Sequence, residues 1–324
     1  MKIALALAAL LLAAHATADT PVTSIRLESA QGGVQPFTAG LAFAKGDVPV
    51  VPALALVDSQ VVVKTRWNDG SVKFAIASGR ATLVANQPLT VVASAATAPA
   101  GGTPLTAADI QSAGPAASVV IAGIGTVSLS TLLASPVRTW LSGPEMVEAH
   151  YRGAPGGDAH LAVWFHVRLY RGGRMFVRAF VENGNLDLAN ADRTYVTSVV
   201  VGGATVFDNG GAALVHRGNT RWSAGAWIGA AADARAIEDT AYLVRTRLVP
   251  NYSAGAPTAA TLDSLSQSYV PFQRGNWTQV MGDTGFQDQI GLLPRWDALY
   301  VTSHGDARAH RSVLANARAL GSYP

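Results

Sequence analysis

Cysteine is absent from the 324 residues, which excludes disulfides, a thiol nucleophile and any thiolate-ligated metal. Charged residues make up only 14% of the chain and the formal net charge is +3, too little to hold a nucleic-acid backbone. Lysine is scarce: after Lys2 only Lys45, Lys64 and Lys73 remain, so nearly all the cations are arginine. Guanidinium groups form two-pronged hydrogen bonds with carboxylates, which suits an acidic ligand. There is no fixed-period repeat, no G-x-S-x-G, no phosphate-binding loop and no G-x-G-x-x-G ahead of a helix. Long apolar runs are missing as well, except Ile3 to Ala14, which is too short to span a bilayer comfortably.

That one run carries the marks of a secretory leader. Met1-Lys2 is a short basic start and Ala16-Thr17-Ala18 a small-residue cleavage site, so residues 1–18 are expected to be removed. The expected location is periplasmic or secreted, with no membrane span after cleavage.

What is present is mostly β-pattern. Val61 to Ser78 places two β-branched runs around Asn68-Asp69-Gly70, the chemistry of a tight hairpin turn. Its outgoing strand predicts an apolar face of Val72, Phe74 and Ile76 opposite Ser71, Lys73 and Ala75. Val22 to Glu28, Ala81 to Val84 and Leu89 to Val92 complete a first β region, followed by the small-residue linker Ala93 to Pro104. Leu105 to Ile110 predicts one helical turn.

Further strands are expected at 118–121, 125–129, 137–141, 146–151, 194–201, 205–207 and 242–248. The segment His160 to Asn183 is the most informative. Only an odd-numbered loop near Gly172-Gly173 separates its two strands into clean faces. Val163, Phe165, Val167 and Leu169 then join Met175, Val177, Ala179 and Val181, while Trp164, His166, Arg168 and Tyr170 join Phe176, Arg178, Phe180 and Glu182. A three-residue loop with a left-handed glycine is predicted. The second face suits sugar binding, because aromatic planes stack on pyranose rings and arginines grip carboxylates. It equally suits a second buried face with Arg178 paired to Glu182.

After Pro250 the pattern turns helical. Residues 286–301 can form an amphipathic helix that Pro294 kinks or restarts, and Asp306 is a good cap for Ala307 to Leu320 with Gly321 as its stop. His310, Val313, Leu314, Ala317 and Leu320 share one side of that last helix.

Three runs resemble the exo-rhamnogalacturonan-lyase-like family. They are the glycine-kinked strand at Thr38–Asp47 with Trp67-Asn68-Asp69-Gly70-Ser71, the stretch His216–Trp227, and the run from Tyr269 to Tyr300. Position 74 is Phe where the family more often has Trp, and Gln287 stands where Arg is commoner. The resemblance implies a mainly β protein: a small RIFT-type barrel (19–98), a β-sandwich (105–250) and a C-terminal α-helical hairpin (258–324) that opens an α/α toroid. One helix pair precedes Pro324, so either a longer chain completes the toroid or the protein is a reduced form.

The resemblance also implies an acidic polysaccharide or oligosaccharide partner, cleaved by β-elimination. Such chemistry needs a cation for the uronate carboxylate, a base and an acid. Arg217 or Arg221 could supply the first, His216 or Tyr269 the others. Trp164, His166, Arg168, Tyr170, Arg178, Trp222, Trp227 and Trp296 are the candidate substrate contacts. The alternative is a non-catalytic glycan- or envelope-binding protein. No cofactor is expected and no metal: His150, Asp158, His160 and His166 have suitable chemistry but match no metal-binding spacing. The carboxylate pairs Glu145/Glu148 and Asp283/Asp288 could serve a glycosidase, yet nothing in the sequence places either in a cleft.

Overall fold

A computed structural model describes residues 19–185, 187–252, 255–278 and 287–322. The leader expected at 1–18 and Asp283 lie outside them. The chain is mainly β, with 41% strand and 15% helix. Among the described residues no helix is long and apolar enough to cross a membrane.

The first six strands are β1 (Thr20–Glu28), β2 (Gly33–Ala42), β3 (Val51–Leu54), β4 (Ser59–Arg66), β5 (Val72–Leu83) and β6 (Leu89–Ala96). The linker leads through α1 (Ala107–Ala113) to β7 (Ala117–Ile121), β8 (Gly125–Ser128), β9 (Arg138–Leu141) and β10 (Met146–Gly153). Next come β11 (Leu161–Tyr170), β12 (Met175–Asn183), β13 (Arg193–Tyr195), β14 (Thr197–Val201) and β15 (Ala204–Asp208). The strands end with β16 (Leu214–His216), β17 (Thr220–Ile228) and β18 (Arg235–Glu238). Four helices close the chain: α2 (Thr240–Arg245), α3 (Ala259–Asp263), α4 (Arg295–Thr302) and α5 (Ala307–Ala319).

Two β units result. In the first, the sheet β18-β1-β6-β3 faces the sheet β2-β5-β4 across a core that includes Ile25, Leu27, Phe37, Leu41, Ala75 and Val91. Strand β18 reaches this sheet from beyond the second unit and pairs antiparallel with β1. In the second unit, β15-β14-β7-β8 covers β17-β12-β11-β10-β9, and Tyr151, Phe165, Val177, Val199 and Trp222 fill the space between them. Alternation explains the inward set, since every second residue of a strand points to the same side.

Gln60 clamps the units together. Its carbonyl oxygen accepts from the backbone N–H of Glu145 (2.8 Å) and Met146 (2.7 Å), and its Nε2 donates to the Met146 carbonyl (2.9 Å). Arg80 donates to Glu145 at 3.0 Å beside it, and Tyr170 and Thr38 share a hydroxyl hydrogen bond of 2.7 Å.

Four local expectations are corrected. In the first half of β5, Val72, Ala75 and Ala77 are buried, while Phe74 and Ile76 face outward. Thr65 pairs with Phe74 and Arg66 with Val72, so Lys73 has no counterpart on β4, and this bulge reverses the side-chain alternation. The strand expected at 242–248 is instead α2, because the Asp239 side chain accepts from the Tyr242 N–H and nucleates a helix. The helix expected from 286 begins only beyond Pro294, which starts α4 afresh, one of the two outcomes expected there, because its ring cannot continue a helix from its N-terminal side. Asp306 does cap α5, but the helix buries Ala309, Ser312, Ala315, Asn316 and Ala319 rather than the side carrying Leu314 and Ala317.

Candidate functional site

The β11–β12 hairpin builds the floor. Leu169 lies opposite Met175, Tyr170 N–H donates to Arg174 O at 2.9 Å, and residues 171–173 form the three-residue loop, with Gly172 and Gly173 at φ 91° and 89°. Val163, Phe165, Val167 and Val177 are all fully buried on the core side. The opposite side presents rows across four strands. Glu148, Arg168, Phe176 and Trp227 form one, and His150, His166, Arg178 and Gly225 the next.

Over this floor lies a cleft of 660 Å³. One wall comes from β2 and β5 through Thr38, Gly40, Phe74 and Ile76, the other from α5 and its end through Leu314, Ala317, Arg318 and Gly321. Two glycines permit the shape. A Cβ on Gly40 would sit 2.9 Å from the Phe74 ring, so the kinked strand gives Phe74 its place. A Cβ on Gly225 would sit 2.5 Å from the Val177 carbonyl oxygen and 2.8 Å from the Arg178 Cα.

One end of the floor is electrostatically closed. Arg138 Nε donates to His150 Nδ1 at 2.9 Å. A guanidinium only donates, so His150 Nδ1 carries the lone pair and Nε2–H donates to Glu148 Oε1 at 2.8 Å. Arg168 Nε takes the other Glu148 oxygen at 2.6 Å. Burial opposes the Glu148 charge, but the His150 hydrogen bond and the Arg168 cation outweigh it and hold the carboxyl at about 2. The His166 ring stacks on His150, and burial, with the nearby cations, lowers its pKa to about 3.

The ligating atoms of Glu148, His150 and His166 lie within 4.8 Å of one another. Nevertheless, His150 Nδ1 and both Glu148 oxygens are already engaged, and two guanidinium charges oppose a cation there. Asp158 and His160 stand apart from the histidine pair: Asp158 accepts from Arg193 at 2.7 Å and caps the His160 N–H at 2.8 Å.

The middle of the floor is the reverse case. Arg178 is half-buried, and among the described residues its guanidinium makes one hydrogen bond, a long one of 3.5 Å to Ser223 Oγ. Among the described residues no carboxylate lies within ion-pairing distance of Arg178, Arg221 or Arg318. Burial, with Arg318 and Arg168 nearby, brings the Arg178 guanidinium down to about 9. Aromatic rings frame it: Trp227 packs against Tyr170 at 5.8 Å and Phe176 at 5.2 Å, and Arg221 lies over Phe180 at 5.6 Å.

Of the residues singled out by sequence, His166, Arg168, Tyr170, Arg178, Arg221, Trp222 and Trp227 meet at this cleft. Trp222 contributes an edge only; it is 1% exposed and its Nε1 donates to Tyr195 at 3.0 Å. Trp164 lies on the same sheet face outside the lining and donates to Glu182 at 3.0 Å, which leaves Arg178 without that partner. His216 is fully buried, between the Tyr195 hydroxyl (2.7 Å) and the Thr220 carbonyl (3.0 Å). Arg217 is exposed, 4.0 Å from Asp192. The Tyr269 hydroxyl accepts from the N–H of Ser223, a lining residue, at 3.2 Å, and lies near the charges of Arg178 and Arg318. Trp296 is packed against Trp277 in a separate helical core. His216 and Arg217 therefore do not converge with Arg221, whereas Tyr269 stands beside the cleft arginines Arg178 and Arg318.

Glu145 is committed to Arg80, and Asp288 to Arg295 at 3.0 Å. Sequence reasoning missed Arg318 and Phe74 at the cleft. Arg318 carries no local signal, since only the docking of α5 brings it there. The alternation alone puts Phe74 in the core, because the bulge at Lys73 leaves no mark in it.

No family model, no curated protein and no solved structure matches the chain.

Proposed function

We propose that this is an exported carbohydrate-active protein whose cleft binds the carboxylate-bearing units of an acidic glycan. One observation carries the reading: Arg178 sits half-buried on the cleft floor, flanked by aromatic rings and two further arginines, with no carboxylate of the described residues to balance it. A buried cation without a counter-ion is costly unless a ligand supplies one. A uronate does so while offering a ring face to Phe176 and Trp227. The leader-like N-terminus and the resemblance to exo-rhamnogalacturonan lyases support the same substrate class and a periplasmic or secreted location.

Binding is favoured over β-elimination. Burial holds His166 at about 3 and raises the Tyr170 hydroxyl above the usual tyrosine range, so neither cleft-lining group is a strong base at neutral pH. Titration calorimetry of the wild type and Arg178→Ala against polygalacturonate and a neutral galactan tests the reading. Uptake of the acidic polymer only, lost in the variant, is expected. Equal uptake of both polymers rejects it. Ultraviolet absorbance from an unsaturated product would replace binding with lyase activity.

A further inference from the structure

A second cleft, also of 660 Å³, adjoins the first. The two share Ala232, Ala234 and Leu314 as lining, so they meet on either side of one ridge. Helix α5 runs along both. Ala307, His310, Arg311 and Leu314 line the second cleft, and Leu314, Ala317, Arg318 and Gly321 line the first. Spacings of three and four place these residues on one side of the helix, opposite the buried Ala309, Ser312, Asn316 and Ala319. At 1.5 Å per residue that side is about 20 Å long. Arg311 and Arg318 stand seven residues apart on it, or about 10 Å.

The second cleft holds two carboxylates, and both are satisfied. Glu28 is paired with Arg26 at 2.6 Å and with Arg235. Asp233 accepts from Ser29 and from the N–H groups of Ala30 (2.8 Å) and Gln31 (3.1 Å). Arg311 is held by the neutral Gln267 Oε1, at 3.1 Å from Nε, which orients the guanidinium without cancelling its charge. Among the described residues, each cleft therefore presents an arginine from the same helix side with no carboxylate in ion-pairing distance.

We infer that the two clefts form one groove for an oligomeric ligand with repeating carboxylates, which crosses the Leu314 ridge and meets Arg311 beyond it. This rests on the acidic-glycan reading above and adds that the ligand is a chain longer than one unit.

The test is titration calorimetry with linear oligogalacturonates, from the monosaccharide to the hexasaccharide, on the full chain. The wild type is expected to gain at least about tenfold in affinity with length, equivalent to about 1.4 kcal/mol. Arg311→Ala should bind every length as weakly as the wild type binds the monosaccharide. Leu314→Glu, which puts a negative charge on the ridge, should also lose the gain from length. Arg311 and Leu314 are exposed, so both variants should melt as the wild type does. Affinity that depends on Arg178 but not on length, or a hexasaccharide affinity unchanged in Arg311→Ala, overturns the single groove and leaves the first cleft standing. No binding at any length overturns both.

Discussion

The imidazole rings of His150 and His166 stack with centroids 3.6 Å apart and planes 5° from parallel. Phe180 lies 4.5 Å beyond His166 in the same row. Burial, with His150, Arg138 and Arg168 nearby and only Glu148 opposing them, lowers the His166 pKa to about 3 and keeps the stacked ring neutral near pH 7. The stack therefore ties the cleft's integrity to proton concentration.

Acid should destabilise the fold in two stages. His166 is lowered from 6.5 to about 3, and His216 and His310 each from 6.5 to about 4, in all three cases chiefly by burial. The unfolded chain binds these protons first, so their contribution is complete above pH 6.5 and is lost as pH falls through the folded values. Glu148, held at about 2 against 4.5, adds a second loss below pH 4.5. Differential scanning calorimetry over the acidic range should show a melting temperature that is level near neutrality, declines below 6.5 and steepens below 4.5. A melting temperature that rises on mild acidification would refute the assignment.

Arg178→Met should trade function for stability. The substitution removes a cation that no carboxylate of the described residues balances, and keeps most of the apolar stem. The melting temperature should rise by roughly 2–4 °C, corresponding to about 1 kcal/mol, while uptake of acidic glycan falls at least about tenfold. A less stable variant that still binds would show that Arg178 has a partner in the protein.

His216→Ala should act on stability alone. The His216 Nε2–H donates to Thr220 O and its Nδ1 accepts from Tyr195, which in turn accepts from Trp222. Truncation opens a void and leaves the Thr220 carbonyl and the Tyr195 hydroxyl short of partners, at a cost of about 2–4 kcal/mol. Urea unfolding should report that loss, whereas the affinity of the folded fraction for polygalacturonate stays at the wild-type value. A selective loss of affinity with no loss of stability would return His216 to the site.

Gln60→Leu should loosen the two β units. It leaves two N–H groups and one carbonyl of the Glu145–Met146 segment unsatisfied beneath the cleft wall. A loss of about 2–4 kcal/mol is expected, with weaker ligand binding because the wall and floor belong to different units. Unfolding followed by near-ultraviolet circular dichroism and by calorimetry checks it; wild-type stability and affinity together would show that other contacts hold the units.

The floor of the cleft was legible in the sequence and its walls were not. The parity of the β11–β12 loop placed His166, Arg168, Tyr170 and Arg178 on one side, and those residues do line the cleft. Density of aromatic and charged residues misled at His216–Trp222, because a buried hydrogen-bonded histidine and a ligand-facing one have the same composition around them. On α5 the sequence pattern makes the apolar side the packing side, yet the small residues Ala309, Ser312, Ala315 and Ala319 let the helix approach closely and leave Leu314 facing the cleft.

The sequence by itself determined most of the strands, though not β3, β18 or the helix at 240–245, together with the hairpin turns at Asp69-Gly70 and Gly172-Gly173, the cap at Asp306 and the two faces of β11 and β12. These depend on backbone preferences and on a side-chain period of two, both set within a few residues. Only the tertiary structure decided which faces are covered, where a bulge reverses β5, that β18 returns to β1, and that Arg318 approaches Arg178. The physical reason is that alternation assigns residues to sides, whereas burial and charge balance depend on what distant segments bring against each side.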